Sequence, residues 1–132
     1  MNTPNFLDGF IESKLLNLHT AFVGKVISVG AGYTSCTVQP LARIKAYGKE
    51  AQNQSVVTNV PILKHARVKD IKLHCNESTH EITADITYIE PGDVVLCVCG
   101  ERDISETIGG GFATPPQGHH NLTDAVVVGI FN

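Results

Sequence analysis

Residues 88–105 read YIEPGDVVLCVCGERDIS, and this stretch decides the fold. Val94, Val95, Leu96, Cys97, Val98 and Cys99 form an unbroken apolar run. Pro91-Gly92-Asp93 opens it with turn chemistry, and Gly100-Glu101-Arg102-Asp103 closes it. A short, β-branched, charge-free run between turn signals predicts a strand with protein on both faces. It is too short for a typical buried helix. Such a strand belongs at the centre of a small barrel, with the rest of the chain wrapped around it.

Immediately upstream, residues 66–75 and 81–89 pair. Ile71, Leu73 and Cys75 alternate with Lys72 and His74; Ile82, Ala84, Ile86 and Tyr88 alternate with Thr83, Asp85 and Thr87. With the polar Asn76-Glu77-Ser78-Thr79 between them, they predict a hairpin with one face packed and one wet. Downstream, residues 103–118 are irregular and hold Gly109-Gly110-Gly111 and Pro115-Pro116. Loops of this length are uncommon in compact domains and, when ordered, tend to be functional. The sequence then closes with HHNLTDAVVVGIFN, where Ala125–Val128 is a second apolar run that Ile130 and Phe131 extend.

Further upstream, AFVGKVISV at 21–29 is β-branched and ends on the turn signal Gly30-Ala31-Gly32. In YTSCTVQPL, Cys36 and Val38 share one face of a strand, and Pro40 marks an edge or a bend. Residues 43–54 are polar and predict a loop or exposed hairpin. SVVTNVPIL predicts a third strand, its end weakened by Pro61. At the N-terminus, Thr3 and Pro4 supply a cap and a first helical position. Leu7, Ile11, Leu15 and Leu18 follow at spacings of four, four and three, widened by Phe6 and Phe10. This predicts an amphipathic helix over 4–18. Its stripe suits packing on its own barrel, capping the barrel end or docking on a partner, with own-barrel packing the default. The expected organisation is a helix in 1–19 and a barrel in 20–132. The fold class is mainly β, a small OB-type β-barrel with an N-terminal α-helix.

Composition narrows the function. The 132 residues are 42% hydrophobic and carry a net charge of −3. One domain with a real core follows. No stretch approaches the roughly 18 apolar residues of a membrane span. MNTPNFLDGF has neither a basic start nor a continuous apolar run, so no signal peptide is expected. The acidic balance argues against nucleic-acid binding, which leans on clustered Lys and Arg. With no Trp and three Tyr, a base-stacking platform is poorly supplied. The four cysteines stand at 36, 75, 97 and 99, without a CxxC, and read as reduced, buried thiols.

Candidate chemistry is sparse. His74, Cys75 and His80 lie close in sequence, and Cys97 and Cys99 form a CxC. Zinc needs four converging ligands. Cys75 falls on the apolar face of its strand and His74 on the other, so these read as core thiols and solvated histidines. His119 and His120 precede the last strand, but no nucleophile frame surrounds them, and a structural or subunit-contact role is expected. Gly109-Gly110-Gly111 lacks the Lys-Ser/Thr of a phosphate loop and reads as a flexible link. No catalytic residue, cofactor or metal is assigned.

Several segments gain meaning in order. HTAFVGKVISV is followed by TVQPL, NVPIL, PGDVVLCVCGERDIS, a Gly/Pro loop and HHNLTDAVVVGIF. This succession resembles the N-terminal OB domain of phage baseplate spike proteins, the membrane-puncturing centre of contractile tails. The match spans about residues 19–131. The resemblance implies a homotrimer on the tail axis that docks on the baseplate hub and the tail tube and touches the bacterial envelope transiently. It implies residence in a virion baseplate or a phage-derived bacteriocin particle, after synthesis in the bacterial cytoplasm. A needle normally follows the OB domain; here no needle repeat follows the last strand. His119-His120 also departs from the alternating His-x-His of a metal-bearing tip, so no metal is carried over. The expected part is a spike base that receives a separate tip, or a plug. Expected trimer or hub contacts are Leu7, Ile11, Leu15, Leu18, His119, His120, Val126 and Val128. Two alternatives come from other classes. An OB module for single-stranded nucleic acid would use the cluster Lys64, Arg67, Lys69 and Lys72. A small metal-binding protein would use the histidines and cysteines.

Overall fold

A computed structural model describes residues 3–16, 18–45, 48–115 and 120–131. The helix α1 spans Thr3–Leu16. Seven strands follow: β1 Ala21–Val29, β2 Ser35–Pro40, β3 Val57–Pro61, β4 Val68–Cys75, β5 Ile82–Tyr88, β6 Val94–Cys99 and β7 Ala125–Ile130. Five of them form one antiparallel sheet in the order β3-β2-β1-β6-β7. A parallel bridge from Ile62 to Val127 brings the two ends together, and the Leu63 N–H donates to the Val127 carbonyl at 3.2 Å. The result is a small, partly open, five-stranded barrel of the OB type, in a mainly β chain with one N-terminal helix.

Alternation explains the core. Val95 and Cys97 of β6 are fully buried, as are Val26, Val38, Val60 and Val127 on the neighbouring strands. Register shifts in β1, β2 and β6 bend the sheet on itself. Gly24 sits where β1 crosses β2, and a Cβ there would overlap Val38 Cγ1. The β2 strand runs through Pro40, so the proline closes the strand rather than displacing it. In the segment expected as a loop or exposed hairpin, Ile44 and Gln52 form an antiparallel bridge.

The β4–β5 hairpin is a separate two-stranded sheet. Its root is tied down. The Ile89 N–H donates to the Arg67 carbonyl at 2.8 Å, and Ile89 enters the core. Tyr88 stacks on Tyr33 with ring centroids 4.5 Å apart. Lys69 Nζ donates to Glu90 at 2.6 Å and to the buried Asp93 at 3.0 Å. Asp93 Oδ2 also accepts the Glu90 N–H, closing the turn in which Gly92 has φ +98. That turn locks onto the barrel through the Gly92 N–H to the Val26 carbonyl and the Val26 N–H to the Asp93 carbonyl, both 2.8 Å.

Four expectations need correction. The hairpin was expected to have a packed face, yet both faces are exposed along most of its length. Its alternation pairs apolar with apolar, but the barrel is already filled by its own five strands. The helix was expected to run to 18; it ends at Leu16, and Leu18 lies beyond it. Nor does α1 pack its stripe on the barrel: Leu7, Ile11 and Leu15 are 52 to 56% exposed, and Leu18 is exposed too. Finally, Cys75 is exposed, because it sits on the uncovered hairpin, whereas Cys36, Cys97 and Cys99 are buried.

Candidate functional site

The strand β6 was expected to be covered on both faces; the chain buries the inner face and covers the outer one only in part, with Val94 and Leu96 half-buried and Val98 exposed. Val95, Cys97 and Cys99 face the core. Val94, Leu96 and Val98 face outward, and the ladders place apolar neighbours beside them. Ala21 stands opposite Val98, which stands opposite Val126; Val23 stands opposite Leu96, which stands opposite Gly129. This outer wall of β1, β6 and β7 contains no charge until Lys25, at its edge beside Val94. Val23 is 39% and Val98 41% exposed. Val126 and Val128, expected as contact residues, are half-buried on this wall.

A second apolar face lies on the hairpin. Ile71 stands opposite Ile86, Leu73 opposite Ala84 and Cys75 opposite Ile82. The four large aliphatic side chains among them, Ile71, Leu73, Ile82 and Ile86, are 44 to 72% exposed. The other face is polar, and His74 Nε2 bonds Asp85 Oδ2 there at 2.9 Å. The helix α1 supplies a third apolar surface, with Phe6 and Phe10 exposed beside Leu7 and Ile11.

The remaining expected contacts fall at one end of the barrel. The His19 N–H donates to the His120 carbonyl at 2.8 Å, and the His120 N–H donates to the Glu101 carbonyl at 3.1 Å. The Gly100 N–H donates to the Asp124 carbonyl at 2.8 Å. Three separated sequence segments (19–20, 100–104 and 120–124) are thereby held together by backbone bonds. Asp103 Oδ1 accepts the Ser105 N–H, which holds that carboxyl below its ordinary range. Asp124 is buried nearby, and burial followed by the Asp103 charge pushes its carboxyl up. His119 lies outside the described residues.

The metal candidates do not converge. His74 and Cys75 occupy opposite faces of β4, and His80 lies in the hairpin loop with φ +58. Among the described residues, no group of three or more His, Cys, Asp or Glu is placed to hold a metal ion. Burial pushes the Cys36 thiol up to about 11. Burial, reinforced by the Cys36 and Cys99 thiols, pushes Cys97 up to about 12. Burial and then Asp124 raise Cys99. Such thiols stay protonated at neutral pH and are poor nucleophiles and ligands.

The basic cluster is partly engaged. Lys69 is held by Glu90 and Asp93, and Arg67 Nε donates to the Ile62 carbonyl at 3.3 Å. Sequence reasoning missed His65, whose Nε2 bonds the Val128 carbonyl at 3.0 Å and joins the hairpin root to β7. Only the barrel closure reveals it, since the two residues are far apart in sequence. A cleft of about 400 Å³ opens beside this bond, lined by Val68, Lys69 and Phe131 among others.

No family model matches this sequence, and no curated protein matches it either.

Proposed function

We propose that this chain is a structural component of a phage or phage-like contractile tail baseplate. Three copies form a central spike, or its base or plug, on the tail axis. The trimer docks on the hub and tail tube, receives a separate tip, and helps the tail cross the cell envelope. Its work is mechanical: sheath contraction supplies the force, and a rigid trimer transmits it. The particle is a virion or a bacteriocin derived from one.

The observation that supports this best is the placement of apolar surface. The outer wall, the hairpin face and α1 are all turned outward on convex elements. Extended exposed apolar patches mark interaction surfaces, and a chain with several of them suits a subunit of a larger assembly. The order of motifs that resembles spike OB domains adds support, because its Pro91-Gly92-Asp93 turn is bonded to β1 at the heart of the barrel. In this reading α1 anchors the trimer in the hub through Leu7, Ile11 and Leu15.

Gold-labelled antibody against the chain, applied to tail particles purified from the producing host, tests the reading. Label is expected at the distal end, on the axis. Tails lacking the chain, or label along the sheath, would overturn it. Deleting residues 1–18 is expected to cut incorporation at least tenfold; full incorporation would refute the anchor role of α1.

A further inference from the structure

We infer that the cleft between the 103–108 turn and the start of β7 receives the cationic side chain of a partner protein, an arginine or a lysine, with Asp124 and Asp103 as its counter-charges. This site goes beyond the tail reading and stands without it.

Asp124 carries the inference. Only 7% of it is exposed, and it lines a cleft of about 170 Å³ together with Asp103 and Ser105. Its backbone carbonyl accepts the Gly100 N–H at 2.8 Å. Among the described residues its carboxyl has no hydrogen bond and no ion pair. A buried charge without a partner is destabilising, and proteins pair such groups or bind an ion on them. Here the Asp103 charge acts on Asp124 in the same direction as burial, and the two together push its carboxyl up. Asp103 is itself kept ionised by the Ser105 N–H, which donates to its Oδ1 at 2.9 Å. The cleft therefore presents negative charge, and none of the described residues lining it is basic. Arg102, next in sequence, turns its Nη2 to the Pro115 carbonyl at 2.9 Å.

Shape selects the kind of cation. Ile104 and Ile108 from the turn, and Pro61 at the end of β3, give the cleft apolar walls beside its carboxyls. An aliphatic stem ending in an ammonium or guanidinium matches both parts: the stem covers the walls and the head meets the carboxylates. The volume is below the roughly 300–1,000 Å³ of pockets that hold a whole small ligand, and it suits one side chain. A hard metal ion is the rival occupant. Calcium takes about six to eight oxygen ligands, and among the described residues no group of three or more His, Cys, Asp or Glu is placed to hold a metal ion. The site is also preformed. The Ile104 carbonyl accepts the Thr107 and Ile108 N–H groups, both at 3.1 Å, and the Gly100–Asp124 bond ties the entry of the turn to the residue before β7. Ile108 stands 63% exposed at the rim, where a partner surface would cover it.

The full chain, isotope-labelled, is titrated with N-acetyl-arginine methylamide and followed by its amide resonances. N-acetyl-norleucine methylamide, an aliphatic stem without the charge, is the comparison, and circular dichroism checks folding. Saturable shifts are expected at 103–108 and 123–125, with a Kd of about 1–10 mM. The norleucine compound is expected to bind at least tenfold more weakly. Asp124→Asn is expected to weaken binding of the arginine amide at least tenfold, and Asp103→Asn at least threefold. If Asp124→Asn misfolds, Asp103→Asn and the norleucine comparison still decide. No saturable shift, shifts confined to other residues, or undiminished binding by Asp124→Asn overturns the proposal. Calcium chloride saturating the same resonances where the arginine amide does not would make the cleft a metal site and overturn it. Spermidine binding at least tenfold tighter than the arginine amide would give the cleft to a free polyamine and overturn it too. The isolated chain is used throughout, so failure here leaves the tail reading standing, and tails without the chain would leave this site standing.

Discussion

Asp124 shows how much one side chain depends on its surroundings. It lies buried at the barrel end where the 100–104 and 120–124 segments meet, and burial raises its carboxyl, followed by the charge of Asp103. The folded protein therefore holds this proton more tightly than the unfolded chain does. Stability from this group is present at low pH and falls as pH rises from the ordinary value of 3.8 toward the folded one. Asp103 works in the opposite sense, because the Ser105 N–H holds its carboxyl down; its contribution is lost as pH falls. Asp124→Asn is predicted to gain in Tm on the wild type as pH rises above 3.8, the gap levelling off once pH passes the folded-state value. A gap independent of pH would contradict this. No local pattern in the sequence announces the burial of Asp124. That Cys36 and Val38 share one face, by contrast, was legible from alternation, and both are buried.

Elements were easier to read than what covers them. The β1 strand, the hairpin and β6 all follow from alternation and turn residues, and the β6 run begins and ends where its turn signals do. Alternation says which residues share a face; it does not say what lies against that face. For this reason the hairpin and α1 were expected to pack at home and do not. The charge-free β6 run predicts cover on both sides; the chain buries the inner side and leaves the outer one half-covered. Gly24 marks where the elements press closest. Gly24→Ala is predicted to destabilise the barrel by about 1–3 kcal/mol, since the added methyl must displace Val38 in a filled core. Urea unfolding measures it, and an unchanged midpoint would show that β2 yields there.

At the scale of the whole molecule, the fold class was readable and the closure was not. Parallel contact between the end of β3 and β7 joins Ile62 to Val127, and no local pattern announces a pair so distant in sequence. The same distance hides the His65–Val128 bond and the meeting of His19, Glu101 and His120. Val126 and Val128, expected as trimer or hub contacts, lie half-buried on β7, with Val126 opposite Val98 of β6. The proposed trimer would give the exposed apolar faces of the chain a partner. The solution mass of the purified full chain, measured by light scattering after size exclusion, tests that most directly. The account predicts three times 14.2 kDa. A single species at 14.2 kDa across the accessible concentration range would contradict it.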